Sequence, residues 1–167
     1  MATLIILILS FSFFWVVNKY ALHDHFTNTF MGRTALAAML VLTGSAHFFK
    51  RVEMVQMMPE FLPFKIQFVY FTGMFELLGA VGLLITQTAR WTSIALILFF
   101  LCILPANIIG SLKKVELGGM ENGPGYLYFR IPLQIFFIWW TYYFGIRKFR
   151  SSFNAKYQVK YIPKTNV

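Results

Sequence analysis

The sequence has one cysteine, Cys102, so it can build neither an internal disulfide nor a cysteine-based metal site. Cys102 lies in an apolar run and reads as a small buried apolar residue. Charge is also scarce. Asp, Glu, Lys and Arg make up 13% of the 167 residues, where a soluble domain carries about 25%. With 58% hydrophobic residues, 19% aromatics and a mean hydropathy of +0.64, that scarcity excludes an ordinary soluble domain. The composition is that of an integral membrane protein. Acidic residues number six against fifteen Lys and Arg, a net charge of +9. The basic residues gather at the ends of hydrophobic segments and in the tail, where they set topology and meet anionic lipid head groups. They therefore imply a bilayer, and no nucleic-acid partner. Also missing are a glycine-rich phosphate loop, a nucleophile elbow, a Cys-x-x-Cys pair and any detectable internal repeat.

What the chain does have is five hydrophobic spans, each to be weighed against the roughly 20 residues that cross a bilayer's hydrocarbon core. The first covers residues 2–17. It lacks the basic start and small-residue cleavage site of a signal peptide and reads as a retained anchor. The second covers 34–49 and is short, with Arg33 and Lys50 free to snorkel at its ends. The third covers 66–87, the fourth, with Pro105, 91–112, and the fifth, with Arg130 and Pro132, 126–146. The expected fold class is an all-α membrane bundle. Its parts are an anchor helix and loop (1–32), a four-helix core (33–146) and a basic, polar tail expected to be mobile (147–167).

Five spans put the termini on opposite faces. Lys19, Arg33, Arg90, Arg147, Lys148, Arg150 and the tail lysines fall on the C-terminal face, outnumbering Lys50, Arg51, Lys65, Lys113 and Lys114 on the other. Cytoplasmic loops carry the basic excess, so the C-terminus is expected in the cytoplasm and the N-terminus outside, in a cell inner (cytoplasmic) membrane. Two connections share the outer face. Residues 50–65 place Val52, Val55 and Met58 at three-residue spacing, suggesting a short interfacial helix ended by Pro59 and Pro63. It is either a plain linker or a Met-rich lid. Residues 118–125 (GGMENGPG) read as a loop.

The third span carries Glu76 near its middle. An ionised carboxylate facing lipid tails would cost roughly 3 kcal/mol or more, so Glu76 faces a polar interior, is protonated, or is paired. Thr72 precedes it by one turn, and Gly73 and Gly79 flank it, making that side of the helix small and polar. Placing the other polar residues by depth puts His47, with Thr43 one turn before it, at the outer end of the second span. Asn107 lies near the outer end of the fourth. Arg130 lies near the outer end of the fifth, with Gln134 one turn deeper. Four helices thus each bring at least one polar group to a shared outer-half pocket. Each group also has a plainer role open to it. His47 can bond a backbone carbonyl, Arg130 can snorkel, and Asn107 can satisfy the Leu101 carbonyl that Pro105 frees. A Glu76–Arg130 or Glu76–His47 link can serve packing alone. A metal or haem centre is not expected. His23 and His25 fall on the face opposite His47, and a His–Glu pair is too small for tetrahedral zinc, with its three or four protein ligands.

Five ordered stretches carry a resemblance: Thr43-Gly-Ser-Ala-His47-Phe48, Met58-Pro-Glu-Phe-Leu-Pro63, Thr72-Gly-Met-Phe-Glu76-Leu-Leu-Gly79, Leu104-Pro-Ala-Asn107 and Phe129-Arg130-Ile-Pro-Leu-Gln134. Together they resemble the DoxX-like membrane proteins over residues 33–146, with the first span and the tail outside it. The resemblance implies that family's four-helix core, with links to membrane redox complexes and to quinone or thiol-stress responses. It makes His47, Glu76, Asn107 and Arg130 the motif-bearing positions.

Two function classes follow. In one, the pocket binds a small lipophilic redox molecule, a quinone above all. His47 or Arg130 would hold a carbonyl, Asn107, Gln134, Thr72 and Thr43 would complete the lining, and Glu76 would accept or relay a proton. No electron carrier is encoded, so a membrane redox partner would supply electrons. In the other, the chain is a non-catalytic assembly or structural subunit whose buried polar network fixes helix register. Lipid or sterol chemistry by a carboxylate–histidine pair, as in EXPERA-type bundles, ranks below both because the motif order is the DoxX-like one. Glu76→Gln separates the two classes. The near-isosteric change should leave a structural network folded with modest loss of stability, and should abolish turnover by a proton relay without unfolding it, as thermal unfolding and an activity assay will report.

Overall fold

The computed structural model describes residues 2–23 and 25–147, which form helices and the turns between them. In order these are α1 (Ala2–Tyr20), α2 (Asn28–Phe49), the short α3 (Arg51–Gln56), α4 (Lys65–Leu84), α5 (Ala89–Leu112), a 3-10 segment (Met120–Tyr126) and α6 (Leu127–Tyr142), which continues into a π-turn, Tyr143–Arg147. Three helices are long and apolar enough to cross a membrane: Thr3–Tyr20, Lys65–Leu84 and Ala89–Leu112. Ile5, Leu9 and Phe13 on α1, Phe71, Leu78 and Val81 on α4, and Leu98 and Leu101 on α5 all point outward. That much apolar surface suits acyl chains and not water.

Local chemistry sets the breaks. The Asn18 side chain clasps the backbone of Phe26, donating to its carbonyl at 3.0 Å and accepting from its N–H at 2.8 Å. The Thr27 hydroxyl then caps α2 by accepting from the Phe30 N–H at 3.3 Å. The run from Pro59 to Pro63 cannot continue a helix, and Phe64, in the left-handed region at φ 54°, turns the chain into α4. The glycine-rich stretch after α5 is partly regular, since residues 120–126 wind into 3-10 turns.

A core of Leu7, Leu36, Leu40, Leu83, Leu96, Leu133 and their neighbours joins α1, α2, α4, α5 and α6. The Trp140 indole donates to the Gly32 carbonyl at 3.0 Å, pinning the end of α6 to the start of α2. The tightest crossing is α2 on α4. A Cβ added at Gly44 would sit 3.1 Å from the Gly73 carbonyl oxygen, and one added at Gly73 would sit 3.1 Å from the Gly44 carbonyl oxygen and 2.6 Å from His47 Cβ. Small residues let two backbones meet this closely. Two sequence expectations are corrected here. Arg33 is buried at 4% exposure instead of snorkelling, because α2 begins at Asn28 and carries it inside the bundle, with its guanidinium over the ring of Phe30 one turn earlier. Cys102 is exposed, since it falls on the outward face of α5. Of the basic tail, only Arg147 lies within the described residues.

The crossing predicts an asymmetry among glycines. Gly73→Val should destabilise by about 1–3 kcal/mol, because neither the Gly44 backbone nor His47 Cβ can yield. At Gly79 the nearest obstacle is the mobile tip of Leu96, at 2.9 Å, so Gly79→Ala should cost less. Gly125→Ala, with nothing within 4 Å, should leave thermal unfolding in detergent unchanged.

Candidate functional site

Between α2, α4, α5 and α6 lies a cavity of about 260 Å³. Every residue that the sequence nominates lines it: Glu76, His47, Asn107, Arg130, Gln134, Thr72 and Thr43. Most of the remaining wall is apolar, from Val69, Phe100, Ile103 and Phe137. Met54, Met57, Met58, Met120 and Leu117, from the segments at that end of the bundle, line it too.

The helices present these groups by simple spacing. On α4, Val69, Thr72, Gly73 and Glu76 occupy one side, so the glycine that admits α2 lies one turn from the carboxyl. On α2, Thr43 and His47 are one turn apart. The His47 Nδ1 lies 3.0 Å from the Thr43 carbonyl oxygen. A carbonyl only accepts, so Nδ1 carries the proton, and in the neutral ring the free lone pair is on Nε2. The Thr43 hydroxyl, beside the Glu76 carboxyl, gives its proton to the Met39 and Leu40 carbonyls at 3.2 and 3.3 Å. Across the cavity, Arg130 Nη2 donates to Asn107 Oδ1 at 3.2 Å, and Gln134 Nε2 donates to the Phe100 carbonyl at 2.7 Å. Asn107 thus accepts from Arg130, while its Nδ2 bonds nothing and does not satisfy the carbonyl that Pro105 frees. Arg130 is held inside the bundle and does not snorkel. Among the described residues the ion pairs within 4 Å are Lys50–Glu53 and Lys113–Glu60, so Glu76 and Arg130 face each other without closing a salt bridge.

Three buried polar atoms on this wall have no hydrogen-bond partner: Glu76 Oε2, Asn107 Nδ2 and Arg130 Nε. Buried polar atoms are nearly always paired, and leaving one unpaired costs about 1–3 kcal/mol. Two donors and a carboxyl oxygen, on residues that line the same cavity, are thus left without partners. His23 and His25 lie at the other end of α2, away from the cavity.

Sequence reasoning missed several lining residues. Tyr126 lies against the Arg130 guanidinium and donates to the Gly118 carbonyl at 2.6 Å. Met39 and Met120 carry no polar mark, and Thr3 brings α1 to the rim of a pocket expected from four helices. The only signal was the Met-rich run 54–58, read as linker or lid.

That run is fastened over the cavity from outside. Lys113 Nζ at the end of α5 bonds Glu60 Oε1 at 3.1 Å, and Arg51 Nη1 donates to the Tyr70 hydroxyl at 2.8 Å. The Lys113 hydrogen bond, with the charges of Lys113 and Lys65, holds the Glu60 carboxyl below the usual carboxylate range. A depressed carboxyl stabilises above its unfolded pKa, and that contribution disappears as pH falls through the folded value. Lys113→Met should therefore speed hydrogen exchange across residues 51–64 at neutral pH, with little change in melting temperature for an exposed pair. The difference from the unaltered protein should vanish once the medium is acidic enough to protonate Glu60.

A family model described as a domain of unknown function (DUF8561) matches residues 36–145. No curated protein and no solved structure matches the chain.

Proposed function

The chain belongs to the family described as a domain of unknown function (DUF8561), and we propose that it is a membrane subunit that binds a small lipophilic redox molecule, a quinone above all, in the cavity around Glu76. One observation carries this reading: Glu76 Oε2, Asn107 Nδ2 and Arg130 Nε are buried without partners on the wall of one largely apolar cavity. A network built only for packing would satisfy its own members. A quinone carbonyl would accept from Arg130 and Asn107. Glu76 would relay the proton that the quinone takes up on reduction, and the His47 Nε2 lone pair offers a second station that can receive a proton and pass it on. The aromatic and methionine wall suits a ring. Electrons would come from a redox partner in the membrane.

The same reading takes the fold as a DoxX-like four-helix core, residues 33–146, preceded by an anchor helix. It has five spans, with the N-terminus outside and the C-terminus in the cytoplasm of a bacterial inner membrane. Length supports it. The 22 residues of α2 extend about 33 Å at 1.5 Å per residue. The run Leu127–Arg147 is nearly as long, and the buried position of Arg33 lowers the cost of a charged residue inside α2.

A non-catalytic assembly or structural role is the second reading. The Arg130–Asn107 and Gln134–Phe100 bonds tie α6 to α5 with or without a ligand.

Mass spectrometry of the organic extract from detergent-purified protein separates the two. Quinone near one per chain is expected in the unaltered protein. In Glu76→Gln and Arg130→Ala it should fall at least about tenfold, the effect of removing one charge-assisted hydrogen bond. Absence of any enriched quinone, with all three proteins equally helical, would favour the structural role.

A further inference from the structure

Below the cavity, α4 and α5 are packed tightly. A Cβ at Gly82 would run into Thr92, one at Gly79 would meet Leu96, and the Phe75 and Phe99 rings stack at 5.0 Å between centroids. These contacts climb one edge of each helix at intervals of three or four residues, away from the turn that joins them. The next positions along the same edges are Thr72 on α4 and Ile103 and Ala106 on α5. They line the cavity and stay half-buried. One turn further along α4, Phe68 on that edge is 43% exposed. Above the Phe75–Phe99 stack these edges of α4 and α5 therefore border a gap that belongs to the cavity, with the exposed Phe68 beside it. The end of the cavity toward water is covered by the Met57–Met58 segment, which Lys113 and Glu60 tie down.

We propose that this gap is a lateral portal, through which the cavity takes the polar head of a single-chain amphiphile directly from the bilayer while its chain stays in the acyl layer. This rests on the ligand-binding reading above and specifies the ligand class. A cavity of about 260 Å³ falls short of the roughly 300–1,000 Å³ that encloses whole drug-sized ligands. It has room for a ring or head group and none for a long chain. The unpartnered atoms of Glu76, Asn107 and Arg130 would grip the head, and the chain would leave between Thr72 and Ala106 over the Phe75–Phe99 stack.

The test is carbodiimide labelling of Glu76 in nanodiscs, read by peptide mass spectrometry, using two reagents with the same chemistry. Dicyclohexylcarbodiimide partitions into the bilayer, whereas ethyl(dimethylaminopropyl)carbodiimide stays in water. We expect the first to modify Glu76 at least tenfold faster than the second. Ala106→Trp, which plugs the gap, should slow the first reagent at least tenfold, and Val52→Trp, exposed on α3 and outside the cavity lining, should not. Ile103→Trp repeats the plug should Ala106→Trp misfold. Equal rates for the two reagents, unlabelled Glu76 with the bilayer reagent, or unslowed labelling in both folded plug variants would each overturn the portal. Decylubiquinone dissolved in the nanodisc should protect Glu76. Labelling that depends on the gap but is indifferent to decylubiquinone would keep the portal and remove the quinone.

Discussion

The close passage of α2 over α4 at Gly44 and Gly73 is the constraint on which the rest depends. With no side chain on either residue, the two backbones approach to the point where each carbonyl lies 3.1 Å from the other's missing Cβ. That contact fixes rotation and depth together. It puts Thr43 beside the Glu76 carboxyl and seats the His47 Cβ over Gly73, which leaves the histidine ring to bond the Thr43 carbonyl and line the cavity. A side chain here would push α2 outward and separate the acid from both neighbours, so in this chain packing and site geometry are one problem.

The opposite side of α4 is built differently. Its lower edge meets α5 through two more glycines and a pair of stacked rings, and its upper edge meets the cavity. The cavity occupies the space above those contacts. The α3 segment, the 3-10 turns and four methionine side chains roof it. Methionine is suited to such a roof, because an unbranched thioether adapts to contents of different shape.

Much of this was legible in the sequence, and the reason is depth. In an antiparallel bundle the chain's direction alternates, so a residue's distance from its span's end states how far along the bundle it sits. His47, Asn107, Arg130, Gln134 and Glu76 could be gathered that way without knowing any contact. Which way a helix faces was harder to read. Cys102 lies at the same depth as buried neighbours yet points outward, and only its rotation about α5 decides that. Arg33 was read at a span's edge, where snorkelling is the usual outcome, yet α2 starts at Asn28, more than a turn before it, and holds it inside the bundle. Met39, Met120 and Tyr126 line the cavity through tertiary placement alone. The five-span reading rests on the two helices, α2 and α6, whose polar residues lower their apolar character. These are the helices that carry His47, Thr43, Arg130 and Gln134 to the site.

Glu76 and Arg130 are the opposite charges a bundle would be expected to join, since a buried pair in contact satisfies both. Here each is held back by its own wall. Asn107 accepts from Arg130 on the α5 side, Tyr126 lies against the same guanidinium, and Thr43 stands beside Glu76 on the α2 side. The Asn107 bond keeps Arg130 on the α5 side, and an atom of each of the two groups is left without a partner. A direct salt bridge would spend those atoms on each other and fill the space with protein. Acid and guanidinium instead line one largely apolar cavity without joining across it, at some cost in stability.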